Sequence, residues 1–136
     1  MLKLLFIFIS FILTIHAEET HHMTCDGLSD CYVVGDKAIV YFNKEGLNME
    51  ICGEGSVYQN VLIEGLYKET LKQKRSTVEN LFICKGINHI DYEFLSGLPV
   101  LKTVEIEEGN ENFVIEEQTL YSKKKGISLF QQQLKL

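Results

Sequence analysis

Short runs of alternating apolar residues recur along the chain at a fixed spacing. The segments Leu81–Gly86 and Val104–Gly109 each carry apolar residues at alternate positions and end in a glycine, and they lie 23 positions apart. The alternation predicts short strands that bury one face. A repeat of about 20 to 50 residues is typical of solenoid proteins, in which each unit is buried by its neighbours.

The rest of the chain contains one further strand of this kind and several connecting elements. The segment Leu47–Gly55 again places an Ile before a Cys and a Gly, and it predicts a third strand of the same kind. The polar, Lys-rich stretch 65–75 predicts a short exposed helix, and the stretch 32–42 predicts a β-hairpin around its central Gly-Asp pair. Between the two repeated strands, apolar residues at spacings of three or four predict a helical or 3₁₀ return path that packs inward: Ile87, Ile90, Phe94, Leu95, Leu98 and Leu101.

These segments resemble the BspA-like leucine-rich repeats, a secreted or surface-exposed family. The residues that carry the likeness are Gly86–Ile90, Leu101–Ile106, Glu45–Val57, Asn110–Phe113 and Thr119–Lys123. The resemblance implies an α/β fold, a short leucine-rich-repeat solenoid with short parallel strands, about two regular turns and a variant C-terminal unit, preceded by a β-hairpin N-terminal cap. The chain then divides into 1–17, a signal peptide; 18–31, an N-terminal tail and loop; 32–78, a β-rich cap with an insertion; and 79–136, the repeats with the variant terminal unit.

The first segment, Met1–Ala17, is interpreted as a secretory signal peptide. Lys3 precedes an apolar run, and Ala17 supplies the small residue expected at a cleavage site. The run Leu4–Ile15 is shorter than the ~20 residues that a membrane-spanning helix needs. We therefore expect a chain without a transmembrane helix after removal of the signal, secreted or held at the cell surface.

The four cysteines would mature in an oxidising compartment, where two disulfides with three possible connectivities are expected. Cys52 and Cys84 each follow an inward-facing Ile on a predicted strand. Neighbouring strands lie about 4.8 Å apart, within the reach of a disulfide. This favours Cys52–Cys84 together with Cys25–Cys31, and the other connectivities stay open. Because none of the spacings is the C-x₂-C of structural zinc sites, no metal site is predicted.

The remaining polar clusters have ordinary interpretations. His21 and His22, close to Met23 and Cys25, are a possible copper or zinc site, but we interpret them as a polar tail. The glutamates of the C-terminal half and the lysines at 123–125 are interpreted mainly as solvated surface.

The composition limits the classes of function. With 136 residues, 46% of them hydrophobic, the chain can form one core but not a two-domain enzyme. A net charge of -6 and a pI near 5.2 argue against nucleic acid or an anionic membrane as a partner. No G-x-S-x-G, H-E-x-x-H or P-loop motif occurs in the sequence, so we predict no catalytic residues, no enzymatic activity and no cofactor.

The outward positions of the predicted strands are the candidate binding residues: Glu50, Phe82, Glu105 and Glu107. The resemblance implies a non-catalytic protein that binds a protein or glycan at a cell surface or matrix, as in adhesion. One alternative is an interaction subunit of a larger assembly, which self-associates through a C-terminal edge strand at 127–130. Another is an incomplete family member with no independent function.

Overall fold

The computed structural model describes residues 21–58 and 68–123, and the backbone of residues 127–131. The predicted signal peptide, Met1–Ala17, lies outside the described residues. In the part of the chain that the structure describes, no helix is both long enough and apolar enough to cross a membrane.

The described chain is built mainly from short strands. In chain order the elements are β1 (Cys31–Val33), β2 (Lys37–Phe42), β3 (Asn48–Val57), α1 (Lys68–Arg75), β4 (Asn80–Ile83), β5 (Ile87–Ile90), α2 (Tyr92–Ser96), β6 (Thr103–Ile106), β7 (Phe113–Glu116), β8 (Thr119–Ser122) and β9 (Ile127–Gln131).

The strands form a mixed sheet and a small second sheet. In the mixed sheet the order is β1-β2-β3-β4-β6, and β5 pairs with the C-terminal half of β3. The pairs β1–β2 and β2–β3 are antiparallel, whereas β4 is parallel to both β3 and β6. The second sheet, β7-β8-β9, is entirely antiparallel. The spacing of 23 residues therefore places Leu81 beside Val104 and Ile83 beside Ile106.

The expected α/β leucine-rich-repeat solenoid is wrong. Strand residues make up 42% of the structure and helical residues 13%, and within the described residues the sheets form neither a regular solenoid nor a closed array. Two reversals of the chain account for the difference. The turn between β2 and β3, closed by the hydrogen bond from the N–H of Gly46 to the carbonyl oxygen of Asn43, makes β2 run antiparallel to β3. Glu117 and Gln118, with φ values of 50° and 65°, turn β7 back along β8 as in a type I′ hairpin.

The expected helical return path begins as a strand. β3 is ten residues long, whereas β4 pairs with it only from Asn48 to Ile51. Beyond Ile51, the backbone groups on this edge of β3 have no partner in β4. β5 pairs with them in parallel, with Ile87 beside Gly55 and Ile90 beside Val57. Helical structure follows only at α2, which buries Phe94 and Leu95.

The main core lies on one face of the mixed sheet. Alternate residues of β3, β4 and β6 enter this core, as expected for strands buried on one side. Its members include Met49, Ile51, Leu81, Ile83, Ile87, Ile90, Phe94, Leu95, Leu98, Leu101, Val104, Phe113 and Leu120. A smaller cluster of Ile39, Cys52 and Cys84 lies on the opposite face, which we call the outer face.

A buried arginine joins the two helices. Arg75, at the end of α1, is 7% exposed, and its Nη1 donates a hydrogen bond to the carbonyl oxygen of Phe94 at 3.3 Å. The guanidinium also lies over the Phe94 ring, 5.4 Å from its centroid. Burial lowers the pKa of Arg75 below its ordinary value. A Cβ at Gly97 would contact the guanidinium, so this glycine leaves the space that Arg75 occupies.

A buried asparagine links the mixed sheet to the second sheet. The Asn110 side-chain Nδ2 donates to the carbonyl oxygens of Cys84 at 2.9 Å and Ile87 at 3.1 Å. Its Oδ1 accepts a hydrogen bond from the N–H of Asn112 at 2.8 Å, just before β7 begins. The Asn110 amide thus joins backbone groups of two segments, the Cys84–Ile87 turn and the residue before β7.

The close approach of β2 to β3 requires a glycine at position 53. Gly53 has a φ of 85°, and a Cβ there would collide with the carbonyl oxygen of Lys37. We expect Gly53→Ala to lower the free energy of unfolding by at least about 2 kcal/mol, because backbone strain and a backbone collision add. Urea unfolding measures this change.

Gly55 is the matched control on the same strand. Its φ is 89°, but a Cβ there has no atom within 4 Å. Gly55→Ala should therefore cost only the strain, about 1 kcal/mol. Equal losses for the two variants would contradict the collision at Gly53.

Candidate functional site

The strand register brings the candidate binding residues together on the outer face. Glu50 of β3 lies beside Phe82 of β4, and Phe82 lies beside Glu105 of β6. Glu107 follows β6, where its N–H donates to the Ile83 carbonyl oxygen at 2.8 Å. Phe82, Glu50 and Glu107 are partly buried, and Glu105 is exposed. Because these residues come from three neighbouring strands, their arrangement is set by the parallel pairing of β3, β4 and β6.

Two disulfides lie at this face, which confirms the prediction of disulfide bonds. Cys52 and Cys84 are joined with a Cα–Cα distance of 4.8 Å, and Cys25 and Cys31 with one of 5.4 Å. Both pairs are those favoured from the sequence. Cys52 is fully buried and Cys84 is 2% exposed. Cys25 and Cys31 pack against the same cluster from the side of the solvent.

The Cys25–Cys31 disulfide explains why the N-terminal segment lies on the outer face. Cys31 is opposite Tyr41 in the antiparallel pair β1–β2, and Tyr41 is opposite Glu50 in β2–β3. Residues that face one another across a ladder lie on the same side of the sheet, so Cys31 is on the outer face. Its bond to Cys25 directs the preceding residues across that face.

His21 occupies the centre of the predicted binding face. Its ring stacks on the Phe82 ring with centroids 4.6 Å apart and an interplanar angle of 24°. Its Nδ1 is 3.6 Å from Oε2 of Glu50, and its Nε2 is 3.4 Å from Oε2 of Glu107. His22 contacts the Tyr41 ring edge-on at 5.6 Å. The interpretation as a polar tail is therefore corrected for His21, whose ring packs on Phe82, whereas His22 is exposed and contacts only the edge of an aromatic ring.

The electrostatics of the outer face favour a cation. The ion pairs found for Glu50 and Glu107 among the described residues are both with His21. The other oxygen of Glu107, Oε1, accepts a hydrogen bond from the N–H of Lys85 at 2.8 Å. Carboxylates beside an aromatic ring attract a cation both by charge and through the face of the ring. Binding of a cationic side chain is therefore the chemistry that this arrangement supports.

The same residues also form a group of metal-ligating atom types. One ring nitrogen of His21 and the sulfur atoms of Cys52 and Cys84 all lie within 4.8 Å of one another. While the sulfurs are joined in a disulfide, they are not thiolates and do not act as zinc ligands.

An open cleft continues from the outer face beside the N-terminal segment. Its volume is about 590 Å³. Its apolar lining includes Met23 and Val33, which are 52% and 58% exposed, together with Ile39 of the outer-face cluster. Lys37 and Glu54 supply charged groups at its border. The cleft extends the surface available to a bound segment beyond the Phe82 site.

His21 was named from the sequence only as a possible metal ligand, and its place on the outer face was missed. Its contacts join residues 29 to 86 positions away in the chain, and no local pattern around His21 marks them. The alternation of β1 and β2 contains a partial signal for this position. It places Cys31 and Tyr41 on the same face of the sheet, but only when the register of the hairpin is known.

No family model, no curated protein and no solved structure matches the chain. The resemblance to BspA-like leucine-rich repeats therefore stays a prediction from sequence motifs, and the solenoid that it implied is corrected above.

The two disulfides should differ in their contribution to stability. They close loops with sequence separations of 32 and 6 residues. Loop-closure entropy gives about 3.7 kcal/mol for the pair Cys52–Cys84 and about 2.2 kcal/mol for Cys25–Cys31. We expect Cys52→Ala/Cys84→Ala to lose more stability than Cys25→Ala/Cys31→Ala in urea unfolding under oxidising conditions. The reverse order would show that the short loop holds the structure together more strongly than the cross-strand bond.

Proposed function

We propose that the protein is an extracellular, non-catalytic binding protein whose outer face takes an extended segment of a partner protein through a basic side chain. The observation that carries the proposal is His21, which is already seated between Glu50 and Glu107 on the Phe82 ring. Because the imidazole of His21 already occupies this position, a basic side chain of a partner is the class of group that the outer face accommodates.

A lysine or arginine of a partner fits the same position. The guanidinium of arginine stacks on aromatic rings and donates to carboxylates, so it uses Phe82 and the flanking glutamates together. Glu105 extends the acidic surface along β6, and the apolar cleft at Met23 and Val33 offers a second contact for an extended chain. The chain's net charge of -6 favours the encounter with a basic partner.

The cysteines and the first segment support an extracellular location. Disulfides persist mainly in oxidising compartments such as the extracellular space. The apolar segment ending at Ala17 has the composition of a signal peptide. A partner at a cell surface or in the extracellular matrix is consistent with both, and adhesion is the role implied by the family resemblance.

Peptide binding by the oxidised protein tests the proposal. The probes are extended synthetic peptides that differ only in a central residue, Arg, Lys, His or Met. We expect the Arg and Lys peptides to bind and the Met peptide to bind at least about tenfold more weakly, since a central contact at an interface commonly carries more than ~1.4 kcal/mol. His21→Ala should strengthen binding of the Arg peptide, because the internal occupant no longer competes.

The double variant Phe82→Ala/Glu107→Lys should abolish this binding. Its matched control is Tyr92→Ala/Glu93→Lys on α2, where both side chains are exposed and lie away from the outer face. Fluorescence anisotropy measures the affinities, and circular dichroism checks that each variant is folded. Equal affinity of the wild type and the Phe82→Ala/Glu107→Lys variant would remove the outer face as the binding site.

A second candidate function is assembly through a sheet edge. Among the described strands, β9 pairs with β8 and leaves its other edge without a strand partner. An open edge presents unpaired backbone groups to another chain. We expect the mass from light scattering to rise with concentration in the micromolar range if β9 pairs with a second copy. A constant monomer mass would contradict this second function and leave the peptide-binding proposal intact.

A further inference from the structure

The disulfide Cys52–Cys84 lies within a set of side chains that has the donor types of a zinc site. The ligating atoms of His21, Cys52 and Cys84 are all within 4.8 Å of one another. Glu107 and Cys84 each follow the last residue pair of the β4–β6 ladder, Ile83 and Ile106, and Oε2 of Glu107 is 3.4 Å from Nε2 of His21. Two sulfurs and one imidazole are thus close together on the outer face, and one carboxylate lies beside the imidazole.

The distances suit a tetrahedral ion. Zinc binds sulfur at about 2.3 Å and nitrogen or oxygen at about 2.0 to 2.2 Å, so the ligands of a tetrahedral site stand roughly 3.3 to 3.8 Å apart. The His21–Glu107 distance of 3.4 Å falls in this range. The sulfurs need only separate from bonding distance, and their Cα atoms, 4.8 Å apart on neighbouring strands, allow this by rotation of the side chains.

The surroundings hold the ligands as outer partners do in metal sites. Nδ1 of His21 is 3.6 Å from Glu50, which can orient the ring when Nε2 binds the metal. Oε1 of Glu107 accepts the N–H of Lys85, which leaves Oε2 free to bind. The ring of Phe82 supports the imidazole from one side. His21 and Glu107 have 27% and 21% of their side chains exposed, so an ion can reach the site from solvent.

We propose that Cys52, Cys84, His21 and Glu107 bind one zinc ion when the Cys52–Cys84 disulfide is reduced, and release it when the disulfide forms. Reduction by a dithiol adds two electrons and two protons, breaks the sulfur–sulfur bond and converts the dithiol to its own disulfide. Zinc then displaces the two thiol protons, which pass to solvent, and the two thiolates become ligands. Exchange with a small-molecule disulfide reverses these steps: the two thiolates are oxidised to the Cys52–Cys84 disulfide, the small-molecule disulfide takes up the two electrons and two protons from solvent to become a dithiol, and the zinc ion returns to solution.

Cobalt binding to the reduced chain tests the site, because Co²⁺ substitutes for Zn²⁺ and absorbs light when thiolates are bound. The full chain is reduced with a phosphine, which opens both disulfides, and is titrated with Co²⁺ and then Zn²⁺. In this state His21 is held at the site by its non-covalent contacts with Phe82, Glu50 and Glu107 and by the metal. We expect one Co²⁺ per chain, a near-ultraviolet band from thiolate-to-metal charge transfer, intense visible bands of a tetrahedral ion, and loss of all bands when Zn²⁺ is added. The oxidised chain should show none of these bands.

The variants separate this site from unspecific thiol binding. Cys52→Ser/Cys84→Ser keeps the thiols of Cys25 and Cys31 and should lose the charge-transfer band. His21→Ala should weaken binding by more than tenfold, while the neighbouring His22→Ala should leave it unchanged. Glu50→Gln, which alters an outer partner, should weaken binding about tenfold.

Three results would overturn the proposal: no thiolate band in the reduced chain, equal affinities for His21→Ala and His22→Ala, or a retained band in Cys52→Ser/Cys84→Ser. If reduction unfolds the chain, the metal would bind without distinguishing His21 from His22, and the two histidine variants would have equal affinities. This outcome also contradicts the proposal. The peptide experiment uses the oxidised protein, so either proposal can fail without the other.

Discussion

The hydrogen-bond ladders of β3 are the interaction on which the other elements depend. This strand pairs antiparallel with β2 along six residue pairs, and in parallel with β4 and then β5 along its other edge. Its alternate residues serve both faces: Met49 and Ile51 enter the main core, and Cys52 enters the outer-face cluster. Because β6 joins the sheet only through β4, all three parallel strands are positioned by β3.

The outer face buries few apolar residues, and groups outside the sheet help to stabilise it. Its buried cluster contains three residues, two of which are the bonded cysteines, whereas the main core contains side chains from most elements. The hydrophobic effect alone gives little stability to such a small cluster, since the energy scales with the apolar area removed from water. The covalent bond and the stacked His21 ring supply what apolar packing does not. A surface held in this way is well defined in shape and still partly exposed to a ligand.

The sequence predicted those features that depend on local pattern. Alternation identified β4 and β6, and their spacing brought them side by side with Phe82 next to Glu105. The hairpin expected at 32–42 forms as the antiparallel pair β1–β2. Alternation does not specify the direction of a neighbouring strand, so the antiparallel pairing of β2 with β3 and the hairpin at Glu117 were missed. Likewise, apolar residues at 87–90 fit a helix or a strand, and the free edge of β3 decides for the strand.

The candidate metal ligands illustrate the same limit. The sequence spacings typical of structural zinc sites describe ligands on short loops, and Cys52 and Cys84 do not have such a spacing. Cys52 and Cys84 are 32 positions apart, and only the pairing of β3 with β4 makes them neighbours. His21 joins them through a separate covalent loop at Cys25. The alternatives left open by the sequence were therefore resolved by contacts between distant segments, which a local pattern does not encode.

Asn110 gives the cysteine pair a mechanical connection to the second sheet. Its amide holds the carbonyl oxygen of Cys84 while its own oxygen holds the N–H of Asn112 at the entrance to β7. A shift of the Cys84 backbone must stretch one of these hydrogen bonds or move Asn112 with it, because the asparagine is buried and replacement of its hydrogen bonds is costly. A displacement of Cys84 caused by a change in the bonding of its sulfur is therefore transmitted through the Asn110 side chain to the second sheet, which contains neither cysteine.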